Sequence, residues 1–147
     1  MKILIDADAC PVKEIAVRTA KKYGIEVLMF CDTSHILKSD YAKIFTVDKA
    51  SDSVDIALAN KLEKGDIAIT QDYGVAALAL GRGAMCINQN GLVYTNENID
   101  MLLFERHIGK KMRRAGKLSG GVKKRNSEND TKFAYEFEKL IKSANIC

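Results

Sequence analysis

The chain alternates short apolar runs with segments in which apolar residues recur every three or four positions. The first run, Lys2-Ile3-Leu4-Ile5, reads as a strand buried on both faces, because consecutive strand side chains point to alternate sides and all three here are apolar. Pro11 suits the first turn of a helix running to about Lys22, with Gly24 ending it. Ile25 to Phe30 predicts a second strand, so the chain opens on a βαβ unit. A polar, irregular stretch from Asp32 to Ser39 leads to a third strand, Lys43 to Val47. Ser51 is placed to cap a helix whose apolar face is Val54, Ala57, Leu58 and Leu62, with Gly65 as its stop. Asp66 to Thr70 predicts strand four, Tyr73 to Leu80 a short helix, Ala84 to Asn88 strand five, and Asn90-Gly91 a turn.

Beyond this turn the pattern becomes helical. Asn98 to about Arg114 predicts a helix, Leu118 to Asn126 a basic loop containing glycine, and Ser127 the start of a last helix, with Asp130 three residues on as in a capping box. Phe133, Phe137, Leu140, Ile141 and Ala144 form the apolar face of that last helix. Strands alternating with helices imply an α/β fold with a mainly parallel central sheet of about five strands, helices on both faces and a basic C-terminal extension ending in a helix. No repeat or composition break divides the chain. Residues 1–147 read as one domain, with 106–126 a basic strap and 127–144 a C-terminal helix.

Composition narrows the class. With 147 residues, 47% apolar and 29% charged, the chain can bury a core without staples, which excludes disordered, collagen-like and disulfide-scaffold proteins. Cys10, Cys31, Cys86 and Cys147 form no C-x-x-C pair, so they read as reduced thiols rather than zinc ligands. Cys10, before Pro11, has the setting of an activated thiol, but no histidine is near it in sequence and a structural role is expected. Charge arrives at Lys2 and no apolar run approaches about 18 residues, so a cytoplasmic protein without a membrane partner is expected. The net charge of +4 hides an asymmetry. Nine basic residues and no acid lie between Arg106 and Arg125; the other 14 Lys and Arg face 19 Asp and Glu. The remainder of the chain is therefore acidic.

The acids have a pattern of their own. Ligands of open α/β sheets bind beyond the carboxyl ends of the strands, where strand order reverses. Asp6 and Asp8 follow strand one, and Asp72 follows strand four. If those strands are neighbours, Asp6 and Asp72 meet across the crevice; Asp52 and Asp55 reach the same end if their helix crosses back over the sheet. Converging carboxylates repel, and the repulsion is relieved by a raised pKa or by a cation. Oxygen donors suit Mg²⁺ or Mn²⁺, and such ions promote phosphoryl hydrolysis. Taken singly, Asp8 and Asp52 have the simpler reading of turn formers or helix caps.

The strings Leu4-Ile5-Asp6-Ala7-Asp8-Ala9-Cys10-Pro11-Val12-Lys13, Ser53-Val54-Asp55-Ile56-Ala57-Leu58-Ala59 and Ile69-Thr70-Gln71-Asp72-Tyr73-Gly74-Val75-Ala76-Ala77-Leu78-Ala79-Leu80-Gly81, with the Arg113-Arg114 region, resemble the YaiI/YqxD family of bacterial proteins. The resemblance spans nearly the whole chain. That family is similar to the PIN-like nuclease superfamily, which implies a three-layer α/β fold. It also implies Asp6, Asp55 and Asp72 as metal-coordinating, catalytic acids, with Asp8 and Asp52 as further metal ligands. Many PIN-like nucleases carry another acid two residues after the strand-four Asp; here that position is Gly74.

The basic strap supplies the complementary half of a nucleic-acid site. Arg113, Arg114, Lys117, Lys123, Lys124 and Arg125, together with Lys13 beside the Asp6 loop and Tyr73 beside Asp72, are the expected contacts to a polyanion. The strap lacks aromatics, so binding is expected to follow the phosphates rather than the bases, with RNA favoured over DNA as the partner. The expectation is a nuclease dependent on Mg²⁺ or Mn²⁺. Two alternatives stay open. One is an RNA-binding module on the same scaffold without catalysis, hinted at by Gly74. The other is a phosphatase of the haloacid dehalogenase type, suggested by Asp6-Ala7-Asp8, although Cys10 stands where that family usually has Thr or Val.

Overall fold

A computed structural model describes residues 1–8, 10–34, 36–48, 53–116 and 124–144. Its sheet is built from β1 (Lys2–Asp6), β2 (Glu26–Asp32), β3 (Lys43–Val47), β4 (Ile67–Ile69), β5 (Met85–Ile87) and β6 (Val93–Tyr94). The helices are α1 (Lys13–Lys22), α2 (Ser53–Lys61), α3 (Tyr73–Gly81), α4 (Asn96–Arg114) and α5 (Ser127–Ala144). The spatial order is β3-β2-β1-β4-β5-β6. The first five strands are parallel, and β6 returns antiparallel to β5. Six strands therefore replace the expected five. The extra one is two residues long, too short to leave an apolar run in the sequence.

The alternation within β1 sorts the core. Ile3 and Ile5 face a layer made with α1 and α5, through Val12, Ala16, Ala20, Phe133, Phe137 and Ile141. Leu4 faces the opposite layer, with Leu58 and Leu62 from and after α2, Val75, Ala76 and Ala79 of α3, and Ile99 of α4. Ile3, Leu4 and Ile5 are each 0% exposed, so the central strand is sealed on both faces, as its unbroken apolar run requires. This is the three-layer arrangement anticipated above, and it is consistent with a PIN-like fold.

The C-terminal helix belongs to this core rather than extending from it. Phe133 and Phe137 stack with ring centroids 5.2 Å apart, and Glu138 accepts hydrogen bonds from the Tyr23 hydroxyl (2.6 Å) and Lys22 Nζ (3.0 Å) of the α1 end. Its cap lies one residue before the expected Ser127. Asn126 Oδ1 accepts from the backbone N–H of Glu128 and Asn129, while Asn129 Oδ1 accepts from Asn126 N–H, so an Asn pair does the work assigned to Ser127 and Asp130. Asp130 instead binds Arg125, whose guanidinium also donates to Asn90 Oδ1 (2.6 Å) and the Gln89 carbonyl (2.8 Å). The β5–β6 turn closes against α5. Gly91 sits there at φ +86°, and a Cβ would lie 2.9 Å from the Lys132 backbone, so both conformation and space require glycine.

Helix α4 starts two residues earlier than expected. Thr95 caps it by accepting from Asn98 N–H, and Asn98 Oδ1 accepts from Thr95 N–H in return. The first half of the basic strap is thus the last part of a helix. The Ser51 cap lies outside the described residues, as do Asp52, Lys117, Lys123 and Cys147.

Candidate functional site

Strand order reverses at β1 and β4, which leave the sheet centre toward α1 and α3 respectively. The two strands pair in parallel with Ile5 opposite Ile69, so Asp6 and the segment Thr70-Gln71-Asp72 emerge side by side, as their positions after neighbouring strands require. Thr70 joins them. Its hydroxyl donates to Asp6 Oδ2 (3.1 Å) and accepts from Asp72 N–H (3.0 Å). Thr70 is 2% exposed, its N–H is bound to the Ile87 carbonyl and its carbonyl accepts from the Tyr94 hydroxyl, so the link between the two acids is rigid.

Asp72 has a double role. It is the N-cap of α3, with Oδ1 accepting from Gly74 N–H (2.7 Å) and Val75 N–H (3.1 Å), and its carboxylate also lines the cleft. The cap explains Gly74: a Cβ there would lie 3.0 Å from Asp72 Oδ1 and crowd the carboxylate. Asp8, on the loop after β1, accepts a long hydrogen bond (3.4 Å) from Asp32 N–H at the end of β2.

These residues line a cleft of about 600 Å³. Asp6, Asp8, Gln71, Asp72 and Tyr73 form one side; Leu102, Glu105, Arg106, Gly109 and Arg113, one face of α4, form the other. The Tyr73 ring packs edge-on against Tyr94 with centroids 6.0 Å apart, which fixes it at the cleft wall. Burial raises the pKa of Asp6 to about 6, with the charges of Asp55, Asp8 and Asp72 pushing the same way and the Thr70 hydrogen bond opposing them. Asp55, in the first turn of α2, is thus near enough to act on Asp6 although it does not line the cleft.

A divalent cation can be tested against this donor set. Among the described residues, no three His, Cys, Asp or Glu side chains form a ready-made metal cage. The donors present are carboxylate oxygens that repel one another, and Mg²⁺ commonly uses one or two such ligands while water and substrate phosphate complete its shell. Asp6, Asp8 and Asp72 are the oxygen donors of that kind along the same cleft side, and among the described residues they form no complete cage by themselves.

The chain matches, over residues 4–143, the family described as "Uncharacterized BCR, YaiI/YqxD family". It belongs to that family. Similar relatives include the UPF0178 proteins of Ruminiclostridium cellulolyticum (61% identical, 90% of this chain and 87% of that one), Lachnoclostridium phytofermentans (54%, covering 97% and 98%) and Clostridium acetobutylicum (51%, covering 96% and 97%). Because the YaiI/YqxD match covers β1 through α5, both walls of the cleft lie inside the family's shared region.

The other candidates of this YaiI/YqxD chain are distributed unevenly. Arg113 is in the cleft wall, whereas Arg114 and Lys124 are exposed and Lys13, which does not line the cleft, donates to the Ala7 carbonyl (3.4 Å) of the loop after β1. Arg125 is held in the clamp to Asp130, Asn90 and Gln89. Cys10 is buried and its thiol pKa is pushed up by that burial, in keeping with a structural cysteine. No helix among the described residues is long and apolar enough to cross a membrane. Sequence reasoning missed Thr70 and, apart from Arg113, the residues of the α4 wall. Leu102, Glu105, Arg106, Gly109 and Arg113 do share one helical face, but nothing in their mixed chemistry says what that face meets.

Proposed function

We propose that the cleft is the active site of a Mg²⁺- or Mn²⁺-dependent hydrolase of nucleic-acid phosphodiesters. The observation carrying this reading is that Asp6, Asp8 and Asp72 line one cleft together with Arg106 and Arg113 of α4, a face on which Glu105 is the single acid. A carboxylate floor alone would repel a phosphodiester, and an arginine wall alone would bind it without chemistry. Together they can hold an anion beside a cation-binding edge. A bound cation supplies charge neutralisation at the phosphoryl oxygens and lowers the pKa of water. Arg113 and Arg106 bind the phosphate, Thr70 fixes the orientation of Asp6 relative to Asp72, and Tyr73 packs against the sugar or base next to the scissile bond. Asp6, with a pKa of about 6, loses its proton around that pH, so cation binding in its place is expected to strengthen as pH rises through that value.

The test is cleavage of end-labelled single-stranded RNA and DNA with Mg²⁺ or Mn²⁺, alongside calorimetric titration of either metal into wild type, Asp6→Asn and Asp72→Asn. Loss of cleavage and of metal binding in folded Asp6→Asn is the expected result; a folded Asp6→Asn protein cleaving at the wild-type rate overturns the reading. One observation favours a second reading, RNA binding without catalysis. Asp72 already commits Oδ1 to the α3 cap, and Gly74 leaves no further acid beside it. Metal-insensitive RNA binding with no cleavage under either ion selects it.

A further inference from the structure

Helix α4 is 19 residues long, and Ile99 is its only buried residue. From Met101 onward every position is exposed except Leu102 and Gly109, which lie on the cleft face. A helical segment of this length holds together poorly in water without an apolar face packed on something. Such a face exists. Met101, Phe104, Ile108 and Met112, spaced three, four and four residues apart, form a stripe one helical position round from the cleft face. They are 62%, 63%, 40% and 36% exposed, and with Leu103 they make up five of the ten exposed large hydrophobic residues among those described.

The charges beside the stripe are segregated along the helix. Glu97, Asp100 and Glu105 occupy the first half; Arg106, Lys110, Lys111, Arg113 and Arg114 occupy the second. A helix that is acidic at one end and basic at the other complements an antiparallel copy of itself.

We infer that α4 is the interface of a two-fold symmetric dimer, in which the stripe of one copy packs antiparallel on the stripe of the other. A two-fold axis near Arg106 sets Met101 beside Met112 and Phe104 beside Ile108 of the second copy. It also brings Glu97 and Asp100 within reach of Lys111 and Arg114 across the interface. Because the stripe adjoins the face carrying Arg106 and Arg113, the second copy forms the outer rim of each cleft. The pairing stands apart from the proposed hydrolysis, since it rests on the uncovered stripe and the charge order of α4.

Sedimentation equilibrium of the full chain tests it. Wild type is expected at twice the 16.3 kDa chain mass, and Phe104→Glu/Ile108→Glu at once that mass, with the sheet and the other helices kept in circular dichroism. Glu97→Lys/Asp100→Lys and Lys111→Glu/Arg114→Glu should each be monomeric alone and form a mixed dimer when combined. A wild-type monomer at every concentration, or a dimer that survives Phe104→Glu/Ile108→Glu, overturns the interface. Charge-swapped variants that fail to recombine overturn the antiparallel pairing.

Discussion

The acidic floor of the cleft and its cationic wall are held in different ways. Asp6 ends a strand whose Ile3, Leu4 and Ile5 are fully buried, and it is hydrogen-bonded to a Thr70 fixed by β5 and Tyr94. Arg106 and Arg113 ride on a helix anchored near its start by Ile99 and then exposed on almost every side. The floor is therefore a preorganised element whose charge is costly to bury, and the wall a charged arm whose position depends on what it packs against. Preorganisation suits groups that must face a reacting centre, whereas an arm suits groups that follow a polyanion.

The largest way to break this contrast is through the chemistry. Asp6→Asn is expected to lower metal-dependent cleavage by about 10²-fold or more, whereas Arg113→Gln should cost roughly 10-fold or less and mainly through KM, as read from kcat and KM on the same RNA. Equal losses in both would mean that the wall is as preorganised as the floor.

Stability offers the next test. Ile5→Ala removes a fully buried side chain beside Asp6 and should cost about 3–4 kcal/mol in urea unfolding, while Lys110→Ala on the exposed arm should stay within about 0.5 kcal/mol. A comparable loss at Lys110 would mean that the side of the arm away from the Met101–Met112 stripe is packed as well.

The pH dependence sharpens the description of the floor. Asp6 has a folded pKa of about 6 against 3.8 in the unfolded chain, so the folded state binds its proton more tightly. Its ionisation therefore costs stability as pH rises from 3.8 toward about 6, and the cost is complete above that. Asp6→Asn should consequently stabilise the metal-free protein above pH 6, by on the order of 3 kcal/mol, and give no gain below pH 4. Thermal unfolding of both proteins across this range checks the sign. A gain that grows toward low pH would show that the burial cost is not what raises Asp6.

The smallest effect lies on the arm. If Arg113 neutralises one phosphate of single-stranded RNA, Arg113→Gln should reduce the slope of log affinity against log salt by about 0.7, and Arg125→Gln should leave it unchanged because that guanidinium is held by Asp130, Asn90 and Gln89. An equal change at Arg125 would mean that the clamp opens to bind RNA.

Much of this molecule was decided locally. Short apolar runs rich in β-branched residues favoured central strands, three- and four-residue apolar spacing favoured helices, and acids directly after such strands fell at the open end of a parallel sheet. Asp6 and Asp72 were legible for that reason. Tertiary structure decided what depended on which elements face each other across long sequence distances. It put the Thr70 hydroxyl between two acids, turned a mixed-chemistry face of α4 toward them, gave Arg125 to Asp130 and the β5–β6 turn, and split the basic strap between a helix and the segment after it. A side chain's own sequence neighbourhood carries its propensity and its charge; the partner that meets it is supplied by packing, which spans 64 residues between Asp6 and Thr70 and 36 between Gln89 and Arg125.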